Sequence, residues 1–353
     1  MNHESRSRQK GKADRRRYPL RARRDCRNRE RSPGPRSQRS LRTRPARSEP
    51  RRNCRSPADP RPARRGGEDL AGTGPDYRRV GHERDCARYA YCCVGGGSVG
   101  DVTGLAASLF KRGTPVIQIP TTLLAQVDSG LGGKTAIDSG GIKNIAGTFH
   151  SPVLIVADPS LLDTLDQRQM SAGYAEVVKY GLIGDPAFFA WCERHGKALI
   201  AGDREARMHA VRHCLASKAR MVRGDYLDRG GTRTLLNLGH SFAHAIEAAV
   251  GLGGLLHGEA VAIGLVLAFR FSAFTGLCPE TDVDRVAAHL SSVGLPTRLD
   301  HAGVRGPALF DWMIHDKKNV GDELVLVLVH GIGRAFVSRA LDSSALRHFL
   351  SVL

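Results

Sequence analysis

The first 90 residues have almost none of the side chains that build a buried core. They contain no isoleucine and no phenylalanine, and Val80 is their single valine. They carry 28 lysines and arginines against 11 aspartates and glutamates, a net charge of +17, whereas residues 91–353 have a net charge of +1. A segment so charged and so poor in apolar side chains cannot bury enough surface to offset its loss of conformational entropy. We therefore predict that residues 1–92 are disordered or are an out-of-frame reading of the gene, because ordinary globular sequence begins abruptly at Val94.

Other absences narrow the class of protein. No stretch reaches the roughly 18–20 apolar residues of a membrane span, and the N-terminus lacks the apolar core of a secretory signal. The eight cysteines form no CxxC pair and no zinc-finger spacing, which favours free thiols in a reducing cytoplasm. The Arg-rich segment has few aromatic residues for stacking on bases. We expect only nonspecific contact with nucleic acid through residues 1–90; a specific RNA-binding arm is the alternative.

The remainder of the chain divides into two parts with different patterns. Residues 93–165 combine Gly-rich turns, a helix predicted from Ser98 to Gly113 and two short apolar strands, PVIQIPTT and PVLIVADP. This order is typical of a parallel sheet with helical crossovers. Residues 166–353 predict helices, among them a helix pair broken at the sequence GDP and the long apolar helix GEAVAIGLVLAFRFSAFTG, with a short hairpin near the end. The predicted fold class is an α/β domain followed by a helical domain.

Two Gly-rich motifs lie where an α/β sheet binds ligands. The sequence GGGSVGD at 95–101 is a strand-to-helix turn that either holds a phosphate on its backbone N–H groups or is an ordinary turn. The second motif begins at the threonine pair 121–122 and continues through Asp128 to Lys134 after a predicted strand. Polar groups beyond the carboxyl ends of parallel strands are placed to bind ligands, and a lysine there suits a phosphate or carboxylate. Lys143 adds a second cation in a further Gly-rich loop.

A third group of motifs carries metal-ligating side chains. In LLNLGHSFAH, His240 and His244 lie four residues apart and so on one face of a predicted helix, and His257 follows in LLHGE. Upstream, Glu176 and Lys179 lie one turn apart in an otherwise apolar helix. Two or three histidines with one carboxylate are a usual catalytic zinc set. The spacing alone leaves open which of the histidines bind the metal.

Taken in order, these motifs and their neighbours resemble one family. From about residue 93 to the C-terminus the chain is similar to the 3-dehydroquinate synthases in GGGSVGD, KRGTPVIQIPTTLLAQVDSGLGGKTAID, KNIAGTFHSP, SAGYAEVVKYGLI, LLNLGHSFAHAIE, LLHGEAVAIG and DKKN with LVLVLVHGIGRAFV. The resemblance implies a Rossmann-like NAD-binding α/β domain at 93–165 and a helical metal- and substrate-binding domain at 166–353. It also implies a cytoplasmic homodimer whose active site lies between the two domains.

The resemblance also assigns roles to residues at matching positions. The implied ligands of Zn²⁺ or Co²⁺ are Glu176, His240 and His257. The implied catalytic and substrate-binding residues are Asp128, Lys134, Lys179, Lys218, Arg233, Asn237, His244, Lys317 and Lys318, with Arg112 reaching the phosphate from the neighbouring subunit. The implied NAD contacts are Gly95, Gly96, Gly97, Asp101, Thr121, Thr122 and Lys143.

A substrate and a reaction follow from the same resemblance. The sugar acid phosphate 3-deoxy-D-arabino-heptulosonate 7-phosphate is converted to 3-dehydroquinate and phosphate in the shikimate pathway, which leads to chorismate and the aromatic amino acids. NAD oxidises the C5 hydroxyl, phosphate leaves by β-elimination, and NADH returns the hydride before an internal aldol step closes the ring. Zinc acts as the Lewis acid. The alternatives are a related sugar phosphate cyclase of secondary metabolism and an inactive, frameshifted copy, because residues 1–92 lack the strands that begin this family's NAD domain.

Overall fold

Strands dominate the described chain as far as Ile155, and helices dominate it from Gln167 onward. The computed structural model describes residues 90–139, 142–251, 253–314, 324–339 and 343–353. Most of the segment 1–92, together with Lys317 and Lys318, therefore lies outside the described residues.

The first part of the fold is built on a short parallel sheet. Its elements are β1 Tyr91–Gly95, α1 Gly97–Leu109, β2 Val116–Pro120, β3 Lys134–Ser139, β4 Ile142–Phe149 and β5 Leu154–Ile155. Strands β1, β2 and β5 are parallel and adjacent in that order. Helix α1 connects β1 to β2, because parallel neighbours need a crossover rather than a tight turn. Strands β3 and β4 form a separate antiparallel hairpin.

The second part consists of helices and one strand pair. Its elements are α2 Gln167–Gly184, α3 Pro186–Ala201, α4 Arg204–Gly224, α5 His240–Val250, α6 His257–Phe274, α7 Glu280–Ser292, α8 Gly306–Ile314, β6 Leu326–Val329, β7 Ala335–Ser338 and α9 Ser343–Ser351. Three helix starts have the same cause. The side chains of Asp166, Asp185 and Asp203 each accept a hydrogen bond from a backbone N–H three residues later, at the first turns of α2, α3 and α4.

The predicted fold class is confirmed, with an α/β part followed by a helical part. The break between α2 and α3 and the late β6–β7 hairpin form where the sequence predicts them. The first described strand, β1, starts at Tyr91. Helix α1 ends earlier, at Leu109, and is followed by a 3₁₀ turn at Phe110–Arg112.

The loop predicted around Lys143 is wrong, because this residue lies in strand β4. Glycines around the hairpin interrupt the alternation of buried and exposed side chains in the sequence. Along β3, Thr135 and Ile137 are buried while Lys134 and Asp138 are exposed, as the alternation of side chains in a strand requires. When the glycines are left aside, this alternation predicts a half-buried strand.

Helix α6 lies in the apolar core of the helical part. Val261, Leu265 and Phe269 on this helix are completely buried. Contrary to the expectation that no stretch suits a membrane, His257–Phe274 is long and apolar enough, with a mean hydropathy of 1.3. However, 72% of this stretch is buried inside the described part of the protein. Its apolar character is therefore explained by packing in the core.

One face of the parallel sheet is apolar and exposed. The register aligns Cys92, Ile117 and Leu154 in one row, with Val94 and Ile119 in the next. Val94 is 59% exposed and Leu154 is 51% exposed. Helix α1 packs on the sheet, and parallel sheets ordinarily have helices on both faces. Among the described residues, only one face of this sheet has that cover.

The contact between α5 and α6 depends on a glycine. A Cβ atom added to Gly264 would lie 2.2 Å from the carbonyl oxygen of Gly239. We expect Gly264→Ala to force the two helices apart and to lower the free energy of unfolding by about 1–3 kcal/mol. Gly184→Ala is the matched control, since no described residue outside its own helical turn lies within 4 Å of the added Cβ. Denaturant unfolding of both variants tests this, and equal stabilities would contradict it.

Candidate active site

A half-buried carboxylate follows strand β2. The π-helical turn Ala125–Ser129 carries Asp128 beneath helices α2 and α4. Lys218 of α4 lies 2.8 Å from Asp128 Oδ1 and donates to the Asp128 backbone oxygen at 2.6 Å. The Tyr180 hydroxyl of α2 lies 2.9 Å from the same Oδ1. The polar segment predicted beyond this strand thus joins the α/β part to the helical part.

Glu176, His240 and His257 meet from three different helices. One candidate ligand atom from each lies within 4.8 Å of the other two. The Nε2 atoms of His240 and His257 lie 3.3 Å and 3.6 Å from Glu176 Oε1. Lys179 forms an ion pair with Glu176 Oε2. Both Glu176 oxygens are buried, and apart from the ion pair of Oε2 with Lys179 neither has a hydrogen-bond partner within the described structure.

Opposite charges keep the two acids, half-buried Asp128 and buried Glu176, ionised. Burial works against the ionised form of Asp128, but Lys179 and Lys218 outweigh it and lower its pKa to about 2. Burial also opposes ionisation of Glu176, yet Lys179 and His240 hold its pKa well below the ordinary value. In return, Asp128 and Glu176 raise the pKa of Lys179 in spite of burial. Burial lowers the pKa of Lys218, with Asp128 opposing the shift.

Two further predicted cations border the glycines before β3. Arg233 is buried and donates to the backbone oxygen of Gly132 at 3.0 Å. A Cβ atom at Gly132, whose φ is +109°, would lie 2.8 Å from Arg233 Nη2 and 3.5 Å from Lys218 Cε. Lys134 is half exposed and forms an ion pair with Asp228. The structure therefore brings the predicted cations Lys134, Lys218 and Arg233 to one loop.

The glycine turn at 95–97 lies against the end of the π-helical turn. Helix α1 has Gly96 as its N-cap, and this glycine has no side chain that could accept from the first N–H groups of the helix. A Cβ atom at Gly97 would lie 2.8 Å from Ser129 Oγ, a buried hydroxyl without a hydrogen-bond partner in the described residues. A Cβ atom at Gly95 would lie 2.7 Å from Val99 Cβ. Close packing is by itself sufficient to require glycines at these two positions.

The remaining predicted residues of the α/β part differ in their surroundings: the two threonines form local hydrogen bonds, and Arg112 is exposed. The backbone N–H of Thr121 donates to Gly95 at 2.9 Å, and the Thr122 hydroxyl accepts from the backbone N–H of Ala125 at 3.2 Å. Arg112 is exposed at the end of the 3₁₀ turn, with a φ of +65°.

Other predicted residues lie in the helical part. His244 follows His240 by one turn of α5, and their ring centroids lie 5.7 Å apart. Asn237 is the last residue of a 3₁₀ helix, Thr232–Asn237, that precedes α5. Lys317 and Lys318 lie outside the described residues.

Comparison with known proteins matches this chain to one family over most of its length. Models described as 3-dehydroquinate synthase N-terminal and 3-dehydroquinate synthase C-terminal match residues 78–172 and 173–319. The 3-dehydroquinate synthase of Zymomonas mobilis subsp. mobilis is 49% identical over 275 residues, 77% of this chain and 72% of that protein. The chain belongs to the 3-dehydroquinate synthase family. The family match starts at residue 78, upstream of residue 93, where the motif resemblance starts.

Other relatives agree with this membership. The 3-dehydroquinate synthase of Rhodospirillum rubrum is 53% identical over 257 residues, 71% of this chain and 66% of that protein. Among solved structures, 2-epi-5-epi-valiolone synthase from Streptomyces hygroscopicus subsp. jinggangensis, with NAD⁺ and Zn²⁺ bound, has a TM-score of 0.73 and 29% identity, covering 80% of this chain and 78% of that one. A 2-deoxy-scyllo-inosose synthase, complexed with carbaglucose-6-phosphate, NAD⁺ and Co²⁺, has a TM-score of 0.70 and 28% identity, covering 81% of each chain. The chain is accordingly an enzyme of the lyase and cyclase type.

Sequence reasoning on the family motifs missed one residue of the cluster, Glu247. Its Oε1 lies 3.3 Å from His257 Nδ1 and 2.8 Å from Lys143 Nζ. Burial works against its ionised form, but hydrogen bonding to His257 and the charge of Lys143 lower its pKa to about 2. The available signal was its position seven residues after His240, which puts both side chains on one helix face.

Asp101, a predicted NAD contact, offers a test of the electrostatics. Burial raises its pKa to about 7, with Lys218 opposing the shift. A carboxyl group whose pKa is higher in the folded chain than in the unfolded chain costs stability once it ionises. We expect Asp101→Asn to be more stable than the wild type at pH 8, by at most about 4 kcal/mol, with the gain vanishing below pH 4. Thermal unfolding across this pH range tests it.

The exposed Asp284 provides the control for that experiment. Asp284→Asn removes the same charge from the surface and is expected to leave the pH dependence of unfolding unchanged. A pH-independent difference between Asp101→Asn and the wild type would contradict the shift at Asp101.

Proposed function

We propose that this chain is an NAD- and zinc-dependent 3-dehydroquinate synthase. It would convert 3-deoxy-D-arabino-heptulosonate 7-phosphate to 3-dehydroquinate and phosphate. The observation that carries the proposal is the group of candidate metal ligands Glu176, His240 and His257, bordered by Lys179 and Lys218, in a chain 49% and 53% identical to 3-dehydroquinate synthases. Candidate ligands for a metal thus lie beside cations that can bind the two anionic groups of the substrate, its carboxylate and its phosphate.

The donor set suits zinc or cobalt. A carboxylate oxygen and two imidazole nitrogens are a usual set for a catalytic metal that keeps a position open for substrate. Glu176 Oε2 is paired with the Lys179 ammonium, whereas Oε1 is buried without a hydrogen-bond partner in the described structure, and both histidines turn Nε2 toward it. Such an orphaned acceptor is what a bound cation would satisfy. When bound, the ion supplies Lewis-acid polarisation of substrate oxygens.

The substrate's two anionic groups call for cations on the protein. Lys179 stays protonated because Asp128 and Glu176 raise its pKa against the effect of burial. Arg233 presents a planar guanidinium, which suits a carboxylate or phosphate. Lys134 is half exposed, so an incoming anion can replace its surface partner Asp228 at small cost. We propose that these three, with Lys218, bind and orient the substrate.

The remaining site assignments are proposed by position. Asp128 and Asn237 bind substrate hydroxyl groups, and His244, one turn after His240 on α5, contacts the leaving phosphate. Lys317 and Lys318 complete the substrate site. In a cytoplasmic homodimer, the exposed Arg112 would reach the phosphate bound by the partner.

Support for the NAD site comes from the start of α1. Its N-terminus has no side-chain cap, and free N–H groups at a helix N-terminus favour a phosphate. The buried Ser129 hydroxyl facing Gly97 has no partner in the described residues, so it can donate to a bound group. Gly95, Gly96, Asp101, Thr121, Thr122 and Lys143 are the other proposed contacts. When bound, NAD supplies reversible hydride transfer.

A related sugar phosphate cyclase is the second candidate, because solved structures of the valiolone and inosose enzymes share this fold at 28–29% identity. Phosphate release from the heptulosonate phosphate and from sedoheptulose 7-phosphate distinguishes the two functions. We expect release from the heptulosonate phosphate when NAD and zinc are supplied. Turnover of sedoheptulose 7-phosphate alone would favour the second candidate. No release from a chain that binds zinc would favour an inactive copy.

Loss of a proposed metal ligand should remove metal and activity together. We expect His257→Ala to lose stoichiometric zinc and at least a hundredfold in phosphate release, because two ligands hold zinc far less tightly than three. His209→Ala, at an exposed position of α4, is the control and should retain both. Metal analysis after desalting and the phosphate assay provide the measurements. Full zinc retention in His257→Ala would refute the ligand assignment.

A further inference from the structure

We propose that Glu247 is a positioning residue that fixes the ring of His257 for metal binding. The inference rests on the proposed function, since it takes His257 as a metal ligand. Each ring nitrogen of His257 faces a different carboxylate. Nδ1 lies 3.3 Å from Glu247 Oε1, and Nε2 lies 3.6 Å from Glu176 Oε1.

The two histidines of the cluster are held in different ways. His240 Nδ1 lies 3.2 Å from the backbone oxygen of Leu238, and its side chain is 10% exposed. The side chain of His257 is 34% exposed and belongs to the first residue of α6. Packing therefore restrains the His257 ring less than the His240 ring. A side-chain acceptor at its Nδ1 supplies the restraint that the backbone supplies to His240.

The acceptor also selects the tautomer. A neutral imidazole carries its proton on one nitrogen, and a carboxylate beside Nδ1 places it there. The lone pair of Nε2 then faces Glu176, where the metal would bind. Hydrogen bonds of this kind from ligating histidines orient the ring and raise its basicity as a ligand.

Glu247 is itself held in place. Its side chain is 7% exposed, and Lys143 Nζ of strand β4 lies 2.8 Å from the oxygen that faces His257. An ion pair to a strand of the α/β part limits the rotation of this carboxylate. Lys143, Glu247 and His257 thus form a line of contacts that ends at the proposed ligand atom.

The test measures zinc affinity in the full chain by competition with a chromophoric chelator. We expect Glu247→Ala to weaken zinc binding 10- to 100-fold, as is typical when such an outer partner is removed. Glu247→Gln should lose only a few-fold, because its amide oxygen still accepts from Nδ1–H. Glu193→Gln is the control for lost charge, since this carboxylate pairs with Arg285, and it should bind zinc like the wild type.

A spectroscopic measurement separates ring orientation from folding. Glu247→Gln keeps the shape of the native side chain, and thermal unfolding of the zinc-free variants checks that they fold. At saturating Co²⁺, we expect the visible absorption bands of Glu247→Ala to shift from those of the wild type, and those of Glu193→Gln to coincide with them. Wild-type affinity and spectra in both Glu247 variants, or equal losses of affinity in the two, would overturn the positioning role. A wild type that binds no zinc would overturn the metal assignment itself and this inference with it.

Discussion

The structure depends on one fully buried carboxylate, that of Glu176. An isolated charge at this depth would cost several kcal/mol, and only close partners of opposite charge or a metal can offset that cost. Lys179 lies on α2 together with Glu176, whereas His240 comes from α5 and His257 from α6. The electrostatic requirement of one residue therefore fixes how three helices must meet. A polar cluster of this kind is costly for stability, which is the usual mark of a site selected for chemistry.

Close backbone packing makes that meeting possible. Gly239 precedes α5 with a φ of +77°, and a Cβ atom there would lie 2.7 Å from the backbone nitrogen of Leu265. Gly258, next to His257, approaches the carbonyl of Ala172 so closely that an added Cβ would lie 1.8 Å from it. The two histidines thus stand beside glycines that let α5 and α6 approach their neighbours. The spacing of ligand atoms in the cluster follows from backbone contacts that no larger residue permits.

Sequence reasoning could predict what local spacing determines. The four-residue interval of His240 and His244 indicates a shared helix face, and the apolar neighbours of Glu176 indicate burial, but choosing His257 rather than His244 as a ligand required the family resemblance. Glu247 was not predicted because its partner Lys143 is 104 residues away in the chain. In addition, a glutamate near a helix end is ordinarily interpreted as a solvent-exposed residue. The hairpin that carries Lys143 escaped because glycines interrupt its alternation of buried and exposed residues.

The two parts of the proposed site differ in how completely the described residues form them. The metal group, Lys179 and Lys218 are all carried by helices whose core is continuous and well buried. The cofactor side rests on three parallel strands with helical cover on one face and exposed Val94 and Leu154 on the other. Since the metal group takes no ligand from that sheet, its geometry does not depend on how the open face is covered. Among the described residues, two short routes connect the α/β part to the proposed metal ligands. Lys143 contacts Glu247, which contacts His257, and Asp128 acts on Lys179, the ion-pair partner of Glu176. Any influence of cofactor binding on the metal therefore has a short physical route.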